Sequence, residues 1–184
     1  MSLPLSHSAP LLLAIDTCGP SGSVALGRVD AGAVTILAER ALEGRTYSAT
    51  LVAAVAEMLA AAGGRLNELA ALVAVNGPGS FTGVRVGLGA VKGLAEPGQI
   101  PVVALSRLEV LAREADVASA ALDAHRHEIY LRLAVEGADP DPGAQELLAG
   151  VAELAALEAP SRVAVCDPGA VELLASAWPR AELV

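Results

Sequence analysis

Between residues 76 and 95 the chain reads NGPGSFTGVRVGLGAVKGLA, with four of its six glycines inside a stretch of helical spacing. Glycine is the poorest ordinary helix former, about 1 kcal/mol behind alanine at each interior position. A helix carrying four of them needs a neighbour that requires the missing side chains. Gly83 and Gly87 fall four apart on one face, and Gly89 and Gly93 four apart on another. These strips predict close approach by another element: the helix expected at 48–62, another protein, or both on different faces.

The loop from Gly77 to Gly83 separates a short apolar run, LVAVN at 72–76, from this helix. Exposed N–H groups and the helix dipole at such a junction can hold an anion. It is not a standard phosphate loop. Gly79 and Gly83 enclose three residues and Val84 follows, where a Walker motif needs four and then Gly-Lys-Ser/Thr, and the dinucleotide fingerprint fails by one residue. A tight turn with a helix cap is the alternative to phosphate binding.

Elsewhere the pattern is mixed α/β. Leu11 to Ile15, Ser23 to Val29 and Val34 to Glu39 read as a meander of strands joined by Gly/Pro/Asp turns. Leu51, Val52, Val55, Leu59 and Ala62 recur at helical spacing before the Gly63-Gly64 stop. PVVALS at 101–106 returns as a buried strand. The order βββαβαβ is that of a ribonuclease-H-like or actin-like lobe, among other α/β arrangements. Ser106 to Glu109 forms a capping box for a helix running to about Ala115. Strands follow at 118–123 and 128–135, a polar loop at 137–143, a helix near 144–157, a strand at 162–166 and a last strand before Val184. The expected domains are a flexible tail at 1–10, a first lobe at 11–100 and a second lobe at 101–184.

Charge restricts the partners. Against 12 basic residues stand 21 acidic ones, a formal charge of −9, and Lys92 is the single lysine. Such a surface repels phosphate backbones, and four aromatic residues supply no stacking platform for bases. Most contacts to any nucleic acid must therefore come from a partner. No run of 18 apolar residues appears, and no basic n-region precedes the LLLAI run. A cytoplasmic location is the expectation. Cys18 and Cys166 match no metal or redox spacing and read as buried free thiols.

His125 and His127 in DAHRHEIY, two apart, share one face of an expected strand, with Asp123 and Glu128 nearby. They make half a zinc site at most, so no metal is expected. His7 lies in the tail, and G-x-S-x-G is absent. No catalytic residue is assigned.

Together LLLAIDTCGPSGSVAL, VNGPGSFTGVRVGLGAVKGLA and ALDAHRHEIYL resemble the TsaB (YeaZ) family, over about residues 11 to 131. The resemblance implies an actin-like fold of two ribonuclease-H-like lobes, within a superfamily labelled glycoprotease-like. It also implies a non-catalytic scaffold that docks onto the catalytic paralogue TsaD. With the ATPase TsaE, TsaD transfers threonylcarbamoyl to the tRNA adenosine beside the anticodon. Actin-like proteins place an acidic residue and a phosphate-binding turn at the end of the first strand. Asp16 and Thr17, with Gly77, Gly79 and Ser80, are thus candidates for a nucleotide, against a hairpin with a turn-stabilising Asp. No tightly bound cofactor is expected; ATP or ADP would sit at or near a subunit interface. The interface implied, with TsaD or with a second copy when alone, uses Leu51, Val55 and Leu59 on the first helix. On the second it uses Phe81, Thr82, Gly83, Arg85, Val86, Gly87 and Ala90.

The catalytic paralogue carries H-x-x-x-H on the first helix, whereas residues 47–51 here are Tyr-Ser-Ala-Thr-Leu. That departure argues against a metallopeptidase, one rival reading; a small-molecule kinase of the same fold is the other. Family members usually have His-Ser where this chain has Tyr47-Ser48. Relatives are also expected to run several tens of residues beyond Val184 to a C-terminal helix, so the second lobe is expected to be short and truncated.

Overall fold

The fold is described from a computed structural model covering residues 9–43, 46–134 and 143–184. The expected tail and polar loop fall largely outside these residues. The chain divides into two compact units, Met1–Leu105 and Ser106–Val184.

In the first unit, β1 (Leu11–Asp16), β2 (Ser21–Asp30) and β3 (Ala33–Glu43) form the antiparallel meander. Helix α1 (Tyr47–Ala61), β4 (Leu69–Val75), α2 (Phe81–Gly98) and β5 (Val102–Leu105) follow. The sheet order is β3-β2-β1-β4-β5, with β4 parallel to both β1 and β5. Because β5 pairs with β4, the strand expected to open the second lobe at 101 closes the first sheet instead. The boundary between the two units along the chain therefore falls between Leu105 and Ser106.

Alternation along the strands selects the core face. Leu13 and Ile15 of β1, Val24 and Leu26 of β2, and Leu72 and Ala74 of β4 are buried together. Helix α1 covers them with Leu51, Ala54, Val55, Met58 and Leu59, and α2 adds Val91 and Ala95; of the expected stripe, Val52 and Ala62 are exposed instead. Full burial of one such aliphatic side chain stabilises by roughly 1.5–3 kcal/mol, which is what holds α1 on the sheet.

The second unit runs α3 (Arg107–Glu114), β6 (Ser119–His125), β7 (Glu128–Leu133), β8 (Gln145–Gly150), α4 (Val151–Ala156), β9 (Arg162–Val165), α5 (Pro168–Ala177) and β10 (Glu182–Leu183). Its sheet order is β10-β9-β6-β7-β8. From β6 onward this repeats the first unit element for element. One sheet face packs Ile129, Leu131 and Val163 against Leu154 of α4 and Leu174 of α5. The other packs Ala120, Leu122 and Ala164 against Leu108 and Ala112 of α3. Ser106 caps α3 as expected, its Oγ accepting from Leu108 N at 3.2 Å. The Glu109 carboxylate of the expected box accepts instead from Arg113 Nε at 3.1 Å.

Two readings of this unit are corrected. The helix expected at 144–157 splits, because Gln145–Gly150 pairs antiparallel with β7 and only Val151–Ala156 is helical. Helix α5 was not anticipated. Its signal is Asp167-Pro168: Asp167 Oδ1 accepts from Ala170 N at 2.9 Å and proline occupies the first turn.

Candidate functional site

The glycine-rich loop meets the turn after β1. Thr17 Oγ1 donates to the Gly83 carbonyl at 2.7 Å, and Ser80 N donates to the Cys18 carbonyl at 2.7 Å. A Cβ at Gly83 would overlap the Thr17 carbonyl, one at Gly87 the Thr17 hydroxyl, and one at Gly79 the Cys18 carbonyl. The face of α2 bearing Gly83 and Gly87 thus lies on Thr17 of the β1–β2 turn, on its backbone at Gly83 and on its side chain at Gly87. The atoms nearest that strip belong to Thr17 rather than to the helix at 48–62, one of its expected neighbours. No Cβ contact within 4 Å exists at Gly89 or Gly93, so the second strip is open.

The candidate nucleotide residues are drawn together here, and their polar groups are engaged within the fold. Asp16 Oδ1 accepts from Cys18 N at 2.7 Å, the turn-stabilising role weighed against phosphate chemistry. The Thr17 hydroxyl is buried on Gly83. Ser80 is the N-cap of α2, its Oγ accepting from Gly83 N at 3.3 Å. Gly77 and Gly79 both take positive φ, and the Gly77–Pro78 peptide is cis.

Sequence reading missed two members of this junction. Tyr47, at the start of α1, is buried and donates its hydroxyl to the Gly19 carbonyl at 3.0 Å. Its ring fills the space left by Gly22, where a Cβ would stand 3.0 Å from two ring carbons. Cys18 Sγ donates to the Val75 carbonyl at 3.3 Å. The signal for Tyr47 was the small Gly22 opposite an aromatic residue, which only the fold pairs.

The interface residues separate into two sets. Leu51, Val55 and Leu59 are at most 5% exposed and belong to the core. Gly83 and Gly87 are buried on Thr17. These five face inward because α1 and α2 use those stripes to hold the sheet. Val86 and Ala90 are half-buried against the core. Phe81, Thr82 and Arg85 are exposed, as are Ala49, Val52, Ala53 and Ala56 on the outer side of α1. The Arg85 guanidinium carbon stands 4.9 Å from the Phe81 ring centroid.

In the second unit the histidines do not share a strand face. His125 is the last residue of β6, paired with Glu128, and Arg126 and His127 are the turn into β7, all three with left-handed φ of 55° to 65°. His125 Nδ1 lies 3.2 Å from Asp123 Oδ2, and Asp123 Oδ1 accepts from His125 N at 2.7 Å. Among the described residues no three His, Cys, Asp or Glu side chains are placed to hold a metal ion. Of the two free thiols, Cys18 is buried but Cys166 is exposed, because β9 ends one residue before it. Partial burial still pushes the Cys166 thiol above its ordinary range; Arg107 draws it down and Asp167 adds to the rise.

Comparison with known proteins gives these residues a setting. The family model described as "TsaD: tRNA N6-adenosine threonylcarbamoyltransferase" matches residues 36–175. The protein of Haemophilus influenzae called tRNA threonylcarbamoyladenosine biosynthesis protein TsaB is 40% identical over 125 residues, 65% of this chain and 51% of that one. The Escherichia coli protein of the same name is 35% identical, over 65% of this chain and 52% of its own length. The chain spans about half the length of these curated relatives. The solved structure of YeaZ from Pseudomonas aeruginosa superposes with a TM-score of 0.70 at 26% identity, covering 95% of this chain and 84% of that one. By sequence and by fold, the chain belongs to the TsaB (YeaZ) family.

Proposed function

We propose that this chain is a non-catalytic subunit of the system that forms N6-threonylcarbamoyladenosine in tRNA. The observation that carries the reading is the 35–40% identity to proteins named for that biosynthesis. On this reading the two units are the ribonuclease-H-like lobes of an actin-like fold, and the chain works by docking onto a TsaD-like catalytic subunit. A TsaE-like ATPase completes the system, tRNA is held mainly by the partners, and the chain pairs with a second copy when alone. The engagement of Asp16, Thr17 and Ser80 in turn and cap hydrogen bonds supports placing the transfer chemistry in the partner. A nucleotide then belongs at or near the subunit interface rather than in the 77–83 loop of this chain. Among the described residues no helix is long and apolar enough to cross a membrane, which accords with work in the cytoplasm.

Depleting the protein in its own organism and quantifying the modified adenosine in tRNA by mass spectrometry tests the reading. The nucleoside should disappear and return when the gene is restored. Unchanged modification in fully depleted cells would refute the assignment.

A further inference from the structure

We propose that β5 is a self-pairing edge. Two copies of this chain join antiparallel along Val102–Leu105, about a two-fold axis beside Val103, so that their five-stranded first sheets become one continuous sheet. The second copy then sits on a sheet edge, beyond the docking role proposed above and apart from the interface residues of α1 and α2 that the family resemblance implies.

Among the described residues β5 pairs with β4 alone, as the last strand of its sheet. Leu72 N donates to the Pro101 carbonyl at 2.9 Å, and Asn76 N to the Leu105 carbonyl at 3.0 Å. In a parallel pair each residue turns both backbone groups to one side, so positions 101, 103 and 105 face β4. Val102 and Ala104 therefore turn their N–H and C=O groups away from the sheet, a row that is a template for another strand. The strand is uncharged, and Val102 and Val103 are 49% and 47% exposed. The opposite edge is built differently. Strand β3 carries Glu39, Arg40 and Glu43 and shifts register against Leu26 and Gly27, the charges and irregularity that keep sheet edges apart. Strand β5 has no charge, and its register with β4 runs without a shift.

Self-complementarity selects a second copy as the strand that pairs there. A two-fold axis beside Val103 sets Val102 opposite Ala104 of the second copy, and Ala104 opposite its Val102. Outward-facing backbone meets outward-facing backbone at both positions, and every free donor and acceptor of the two residues finds a partner. Val103 faces its own counterpart as the pair without hydrogen bonds, with Cα atoms about 4.5 Å apart. No like charges oppose each other along the seam. The same axis runs α2 antiparallel to its copy. Lys92 and Glu96 lie one turn apart on α2 and line the groove beside Val102, and among the described residues neither has an ion pair. Antiparallel helices turn the Lys92 of each copy toward the Glu96 of the other. A contact of one patch with itself closes as a dimer and does not propagate.

Disulfide trapping of the full chain with oxidised glutathione reads the register. In a Cys166→Ser background, with Cys18 buried, Val103→Cys should cross-link to its counterpart, because facing Cα atoms about 4.5 Å apart are within disulfide reach. Val102→Cys should cross-link at least about tenfold more slowly, since its counterpart stands diagonally, about 7–8 Å away. Analytical ultracentrifugation should show the wild-type chain as a dimer. Ala104→Pro removes an outward N–H that β4 does not use, so it should be monomeric with its melting temperature kept. Lys92→Glu should weaken the dimer by about tenfold, and adding Glu96→Lys should restore it. A monomeric wild-type chain, a dimer that survives Ala104→Pro, or equal cross-linking at positions 102 and 103 each overturns the seam. The role in tRNA modification, read by depletion, stands or falls separately.

Discussion

The hydroxyl of Thr17 donates a 2.7 Å hydrogen bond to the carbonyl of Gly83, and the Thr17 carbonyl occupies the space a Gly83 Cβ would need. Backbone stands against backbone there, so neither side can yield by changing a rotamer. Gly83→Ala should destabilise the first unit by about 1–3 kcal/mol. Gly93→Ala, which meets nothing within 4 Å, should stabilise it by up to about 1 kcal/mol through helix propensity. Thermal melts of the two variants should move in opposite directions; a common direction would show that the two glycine faces are equivalent.

Tyr47→Phe keeps the ring over Gly22 and removes only the hydroxyl that reaches Gly19. The buried carbonyl left behind costs about 1–3 kcal/mol. Urea unfolding should show a lower midpoint with an unchanged slope. A midpoint equal to wild type would mean that the hydroxyl does not fasten the turn.

Three consecutive non-glycine residues with left-handed φ, His125 at the end of β6 and Arg126 and His127 in the turn, join β6 to β7, and each such residue costs roughly 1–2 kcal/mol. Arg126→Gly should therefore be neutral to stabilising, by at most about 1 kcal/mol after glycine's own entropy cost. Replacing His125 and His127 together by asparagine, which tolerates this conformation, should leave tRNA modification by the assembled system intact. Loss of the product nucleoside with that double variant would restore a metal role for the turn.

The thiols should differ in reactivity. Because burial raises the Cys166 thiol and the thiolate is the reacting form, its alkylation should rise with pH along a curve displaced above that of free cysteine. Cys18, buried under the loop, should react only on unfolding. Mass spectrometry after timed iodoacetamide pulses reads both. A Cys166 curve at or below that of free cysteine would contradict the desolvation.

What the sequence made legible followed how local each determinant is. The stripe at Leu51, Val52, Val55, Leu59 and Ala62 predicted α1, but Val52 and Ala62 are exposed, and its buried members Leu51, Val55 and Leu59 are also among the expected interface residues. Periodicity identifies an apolar face without saying whether its cover lies inside the chain. The loop's glycines signalled close approach, but their partner, Thr17, is 66 positions away. Residues 144–157 are rich in Ala, Leu and Glu, good helix formers whose preference β8 overrides by pairing with β7. The missed helix α5 was locally marked by Asp167-Pro168, so that omission was avoidable. The half-site reading of His125 and His127 depends on both lying in one strand, and the register of β6 with β7 leaves His125 as the last residue of β6 and puts His127 in the turn.

The clasp between the β1–β2 turn and α2 also bears on how fast the first unit gains and loses its structure. Its two sides are separated by the rest of the meander, α1 and β4, so closing it from the unfolded chain carries the entropy cost of a 66-residue loop. A contact made after the folding barrier shows itself when weakened as faster unfolding at a nearly unchanged folding rate, and one made before it as slower folding. The two rates of Gly83→Ala therefore date the moment at which a hydroxyl, two carbonyls and the glycines that make room for them come together.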